Sequence, residues 1–180
     1  MRNVIVSEFV TLDGVMEAPN QWSFQFGRDD EQVKYKFDEL FASDALLLGR
    51  VTYQEFAAVW PTMPGAGEYG LRMNDLPKYV VSTTLKESLE WNATLITGDL
   101  VQEIARLKQQ PGQDILIFGS GALIHSLRQQ DLIDEYRLMV FPIVVGSGKR
   151  LFGDGGNTAL KLVDTKVFSA GVVLLTYQRA

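Results

Sequence analysis

A chain of 180 residues has the size of one domain and can bury roughly 70% of the surface its unfolded form exposes. With 46% hydrophobic and 22% charged residues, a net charge of −5 and 17 scattered Lys and Arg, it has no basic patch for nucleic acid, and no apolar run nears the roughly 20 residues of a membrane span. No cysteine and one histidine exclude disulfides, thiol nucleophiles, zinc–thiolate sites and multi-His metal centres, so no metal is expected.

Residues 3–10 are apolar and β-rich and read as a first strand, which "TLDG" breaks with a turn. Segment 1–14 lacks the long apolar stretch of a signal peptide, which makes the cytoplasm the expected compartment. Residues 29–42 carry Val33, Phe37, Leu40 and Phe41 at helical spacing, which predicts an amphipathic helix with those four on its core face. "DALLLGR" reads as a buried strand ending at Gly49. "TYQEFAAVW" reads as a helix with Tyr53, Phe56, Ala57 and Trp60 on one side. Residues 61–77, punctuated by prolines and glycines, read as a long loop. "KYVVST" and "ATLIT" are the next strands. Asp99 then opens a helix, with Gln102 at capping-box spacing and Gly112 past its end. Strand 114–118 runs through Gly119-Ser120-Gly121 into helix 121–130. "EYRLMVFPIVV" is a further strand, and "KLVDTKVF", "SAG" and "VVLLTYQ" read as a β-hairpin. Strands alternating with helices and closed by a hairpin imply a mostly parallel sheet with antiparallel edge strands.

The glycine pair between strand and helix poses the chemical question. It is a tight turn, or it lets an anion reach the N–H groups of the helix N-terminus. Ile124 stands where the Rossmann fingerprint needs its third glycine. Gly146-Ser147-Gly148-Lys149-Arg150 fails as a P-loop, because Arg150 replaces the Ser or Thr and Ile143 the first glycine. A general strand–glycine–helix anion site needs neither fingerprint. His125 reads as an ordinary helical histidine. Asp13, Gly49-Arg50 and Gly119-Ser120-Gly121 each follow a parallel strand, where open α/β sheets bind ligands. Pro19, Trp22 and Phe24 lie just beyond Asp13 and offer either loop packing or the apolar wall of a cleft.

The stretches "TLDG" at 11–14, "LLLGRVTYQEF" at 46–56, "LPKYVVSTTL" at 76–85, "IFGSGALIHSL" at 117–127, "LIDEYRLMVFPIVVGSGKRLF" at 132–152 and "GVVLLTYQ" at 171–178 span nearly the whole chain. In this order the chain resembles the dihydrofolate reductase-like family, in particular the branch related to the reductase domain of bifunctional riboflavin-biosynthesis deaminase-reductases. The resemblance implies an α/β fold with an eight-stranded, mostly parallel sheet flanked by helices in a single domain, 1–180. It implies NADPH across the strand ends and hydride transfer to a small pterin-like or pyrimidine-like substrate. Carried over by motif, Gly119, Ser120 and Gly121 meet the cofactor pyrophosphate, with Ala122 and Leu123 opening the helix beneath. Gly49, Arg50 and Thr52 meet phosphate and adenosine at the second helix N-terminus. Ser82, Thr83 and Thr84 lie by the adenosine 2′-phosphate. Asp13 falls near the reacting rings, where we expect it to bind substrate and supply or relay the proton that accompanies hydride, with Trp22 and Phe24 as the substrate wall.

Two positions depart from the family pattern. The acid that dihydrofolate reductases place on their first helix falls near Val33, counting back from Gly49, and Ser7 stands where the riboflavin reductases carry a lysine. The expected function is an NADPH-dependent reductase of a small heterocycle, nearest to the aminouracil reductase of riboflavin synthesis. The alternatives are a reductase of pterins or other carbonyl or imine compounds, and a dinucleotide-binding dimeric module without turnover. A homodimer through the long apolar strand at 135–145 is expected, with no nucleic-acid or membrane partner.

Overall fold

The computed structural model describes residues 1–27, 29–86, 88–153 and 156–180. Its strands are β1 (Val4–Thr11), β2 (Ser43–Gly49), β3 (Lys78–Val81), β4 (Ala93–Ile96), β5 (Asp114–Ile117), β6 (Glu135–Phe141), β7 (Leu160–Val167) and β8 (Val173–Arg179). They form an eight-stranded sheet in the order β4-β3-β2-β5-β1-β6-β8-β7. β8 runs antiparallel to both β6 and β7, and every other neighbouring pair is parallel. The helices are α1 (Pro19–Trp22), α2 (Asp30–Phe41), α3 (Arg50–Val59), α4 (Gly67–Asp75), α5 (Leu100–Gln109) and α6 (Gly121–Gln129). The eight-stranded, mostly parallel sheet with its antiparallel C-terminal strands is the architecture the sequence implied.

Parallel strands covered on both faces read as nearly continuous apolar runs. The burial of β1, β2 and β5 follows that rule. Ile5, Leu46, Leu48 and Leu116 face α2, α3 and α4, through Leu40, Tyr53 and Met73. Val4, Val6, Leu47 and Ile117 face α5 and α6, through Ile104, Leu107, Leu123 and Leu127. From β1 the chain moves to β2 and outward to β4. It then returns to insert β5 between β2 and β1, and adds β6 on the far side of β1. That reversal of strand order opens a crevice at the carboxyl ends of the central strands.

Three expectations change. Residues 61–77 are not all loop, since α4 lies within them and buries Gly70 and Met73. The prolines at 61, 64 and 77 bracket the helix rather than interrupt it. Gly70 serves close packing, because a Cβ there would lie 2.3 Å from the Cβ of Ala66. The α2 core face is also rotated from the apolar pattern: Leu40 and Glu39 are buried, whereas Val33 and Phe41 are exposed. Phe37 and Phe41 stack on each other instead, with ring centroids 4.2 Å apart. Finally, β6 ends at Phe141, because Pro142 has no N–H for the ladder. It lies inside the sheet between β1 and β8, so its edge is not available to a second copy.

Candidate active site

The carboxyl ends of β2 and β5 are locked together by two polar bonds. The Gly49 N–H donates to Ser120 Oγ at 2.9 Å, and the Ser120 N–H donates to Thr52 Oγ1 at 2.9 Å. Gly119 and Ser120 both adopt left-handed conformations, at φ +58° and +64°. A Cβ on Gly119 would lie 3.0 Å from Thr52 Oγ1, so this turn requires glycine for both its conformation and its space. Ser120 Oγ donates to the Phe118 carbonyl rather than capping α6. α3, which begins after Gly49, has no side-chain cap either. By contrast, Asp29 caps α2 and Asp99 caps α5. Two helix N-termini at adjacent strand ends thus offer first-turn N–H groups without a side-chain acceptor, the arrangement that binds anions.

The other expected cofactor residues surround this turn. Leu123 is buried beneath it and Ala122 is exposed. Arg50 is exposed, and its guanidinium donates to Gln54 Oε1 at 3.1 Å. Gly49 pairs with Val81, so Ser82 leaves β3 directly beside it. Ser82 Oγ accepts the N–H groups of Thr84 and Leu85, folding a turn that leaves Thr83 and Thr84 exposed. A Cβ on Gly121 would meet the Met16 sulfur at 3.1 Å, so the loop after β1 packs over this helix start.

At the end of β1 the structure gives Asp13 a turn-holding task. Its carboxylate accepts from Thr11 Oγ1 at 2.6 Å, from the Gly146 N–H at 2.8 Å and from the Val145 N–H at 3.3 Å. The Thr11 hydroxyl and these amides hold its pKa below the usual carboxylate value. A carboxylate so held is an acceptor and carries no proton at neutral pH. Trp22 is buried, its indole N–H donating to the Glu17 carbonyl, and packs edge-on against Phe141 at 5.4 Å. Phe24, 76% exposed, stands apart from that cluster.

Sequence reasoning missed a buried polar group on β1, α2 and β6. Lys36 Nζ donates to Ser7 Oγ at 2.7 Å and to Glu39 Oε2 at 2.5 Å, and it sits 4.5 Å over the Phe118 ring and 5.7 Å over the Phe9 ring. Arg137 approaches Glu39 Oε1 at 3.4 Å. Val33, the position counted for a pocket acid, is exposed, and Lys36 and Glu39 occupy the inward side of α2. Next to Ser7, Glu8 is buried on β1 and its Oε1 has no hydrogen-bond partner among the described residues. Burial pushes its pKa well above the ordinary carboxylate value, against the opposing pull of Lys36 and the Gly119 N–H. The available signal was Ser7-Glu8, a polar pair inside the otherwise apolar "VIVSEFV". Among the described residues no group of three His, Cys, Asp or Glu is placed to hold a metal, and no helix is long and apolar enough to cross a membrane.

The family model of the RibD C-terminal domain matches residues 2–174. The chain is similar to the uncharacterized protein YyaP of Bacillus subtilis (strain 168), 33% identical over 183 residues covering 98% of this chain and 94% of that protein. It is also similar to a solved structure of a protein assigned to riboflavin biosynthesis from Shewanella sp. PV-4, with a TM-score of 0.75, 24% identity and 99% of each chain covered. A dihydrofolate reductase from Enterococcus faecalis, complexed with NADP(H), shares the fold at a TM-score of 0.61 and 14% identity, over 98% of this chain and 96% of that one.

Proposed function

Because the chain belongs to the RibD C-terminal domain family, we infer that it is a reductase of a small heterocyclic compound with NADPH as its cofactor. The observation that carries this reading is the pair of uncapped helix N-termini, α3 and α6, joined through Gly49, Thr52 and Ser120 at adjacent strand ends. A dinucleotide fits such a cradle: its pyrophosphate needs backbone N–H groups, a glycine turn without side chains and a nearby cation. Gly119, Ser120, Gly121 and the first turn of α6, with Ala122 outward and Leu123 beneath, would hold the pyrophosphate. Gly49, Arg50 and Thr52 would meet the adenosine-side phosphates. The exposed hydroxyls of Thr83 and Thr84, ordered by Ser82, lie one strand away and suit the 2′-phosphate.

When bound, the nicotinamide supplies the hydride. The chain's own work is to position the acceptor and manage a proton. Phe9, Trp22, Phe26 and Phe141 form an aromatic cluster next to Ser7 and Lys36, a setting suited to a flat ring. Asp13 orders the reacting end by tying β1 to the 145–146 turn. The nearest reaction class is that of the aminouracil reductase of riboflavin synthesis, with pterin and other carbonyl or imine reduction beside it.

Calorimetric titration tests the cofactor. NADPH should bind about tenfold or more tightly than NADH, about 1.4 kcal/mol, through charge-assisted bonds from Arg50. Arg50→Gln should narrow that gap. Failure of both nucleotides to bind would defeat the reading, and equal affinities would remove Arg50 from the 2′-phosphate.

A further inference from the structure

We propose that Glu8 is the proton store of this site, donating through Oε1 to the nitrogen or oxygen of a C=N or C=O bond whose carbon accepts hydride. The proposal rests on the reductase reading above and narrows its substrate class to flat heterocycles carrying such a bond.

The position of Glu8 follows from the sheet. β1 pairs with β5 only as far as Val6–Ile117, whereas its pairing with β6 continues through Glu8–Leu138 to Thr11–Phe141. Beyond Val6 the two central strands part, and Glu8 stands where they separate. The Gly119 N–H favours its ionised form, which sets the carboxyl within electrostatic reach of the root of the glycine turn. The residue is 6% exposed, yet Oε1 has no partner among the described residues. Buried polar atoms are nearly always bonded, so an orphan carboxyl oxygen at the point where the central strands part points to a missing ligand.

The charged groups acting on Glu8 come from α2, where Lys36 favours its ionised form and Glu39 opposes it. Lys36 pairs with Glu39 at 2.5 Å and Arg137 of β6 reaches the same carboxylate at 3.4 Å, so Lys36 is shared between Glu39 and any new negative charge on Glu8. Desolvation is the largest influence and raises the carboxyl's pKa well above the ordinary value. A neutral acid with an ammonium nearby is suited to giving up one proton: burial makes it hold the proton, and the cation stabilises the carboxylate left behind.

The step balances as follows in atoms and electrons. The carbon of the C=N or C=O bond receives hydride, a proton with two electrons, and the π pair moves onto nitrogen or oxygen. That atom forms its N–H or O–H bond with the proton leaving Glu8 Oε1. Glu8 becomes a carboxylate that the Lys36 charge favours, and it regains a proton from water once product departs.

The first test uses the whole protein alone, by infrared titration with labelled glutamate. Wild type should show a protonated carboxyl band at pH 7 that disappears in Glu8→Gln and persists in Asp13→Asn. In Lys36→Met its titration midpoint should rise by about one unit or more, as loss of a nearby opposite charge requires. The Lys36→Met comparison needs no Glu8 variant to fold. No labelled-glutamate band at pH 7, or a midpoint unmoved in Lys36→Met, overturns the proposal, and so does an unlabelled protonated carboxyl band that is lost only in Asp13→Asn, which returns the proton to Asp13.

The second test is kinetic. With 7,8-dihydrobiopterin as a C=N probe, Glu8→Gln should oxidise NADPH about 10²-fold more slowly or worse, with NADPH affinity by calorimetry within threefold of wild type. Equal rates in the two proteins overturn the proposal. If wild type fails to bind NADPH, the reductase reading falls by itself, whatever the carboxyl band shows.

Discussion

Gly119 and Gly121 frame one serine but answer to different constraints. Gly119 sits at φ +58°, and its absent side chain leaves room for Thr52. An L-residue in that conformation costs about 1–2 kcal/mol before any clash is counted. Gly121 has helical geometry, and its nearest obstacle is the flexible end of Met16. Gly119→Ala should therefore lower stability by about 1–2 kcal/mol, read as a smaller urea midpoint at unchanged slope. Gly121→Ala should unfold close to wild type. Equal midpoints for the two variants would show that the turn tolerates a side chain. The same scale separates the two acids of β1 and its turn: Asp13 meets three donors that lower its pKa, while burial raises that of Glu8.

Among the elements, α2 depends most on one side chain. Asp29 accepts the Glu31 and Gln32 N–H groups, both through Oδ1. Its other oxygen accepts from the N–H and hydroxyl of Ser169, in the turn between β7 and β8. One carboxylate therefore caps the helix and fastens it to the C-terminal hairpin. The Ser169 hydroxyl, with the amides, holds its pKa at about 2, against roughly 3.9 in an unfolded chain. A carboxylate depressed on folding stabilises fully above its unfolded pKa, and that contribution fades as pH falls toward its folded pKa. Asp29→Ala should melt well below wild type at pH 6, and the gap should narrow between about pH 4 and pH 2. A gap that stays constant across that range would assign the loss to something other than the charged cap.

For the molecule as a whole, the long edge is β7, the opposite edge being the four-residue β4. It spans Leu160–Val167, pairs only with β8, and exposes Leu162, Val163 and Val167. A long edge strand with exposed apolar residues invites pairing with another chain. We therefore move the expected homodimer contact from β6, which the sheet encloses, to β7. Sedimentation should find a dimer in wild type and a monomer in Val163→Lys/Val167→Lys, whose lysines disfavour edge pairing. A monomeric wild type, or a dimer unaffected by both lysines, would remove β7 from that role.

The sequence by itself determined the alternation of strands and helices, the closing hairpin, the helix starts at Asp29 and Asp99, and the glycine turn between β5 and α6. These depend on periodicity, caps and backbone conformation, which are local properties. It could not determine which apolar residues of α2 face inward, because that depends on what lies opposite. Val33 and Phe41 match the helical pattern yet face outward, while Glu39 and Lys36 turn inward to meet Ser7 and Arg137. Lys78 makes the same point at the start of β3: it is fully buried because Asn74 and the Trp91 ring, 4.0 Å from its ammonium, receive it. The tertiary structure alone decided the setting of Glu8. Burial raises its pKa, against an ammonium from α2 and the Gly119 N–H just past β5, and none of these is local to residue 8.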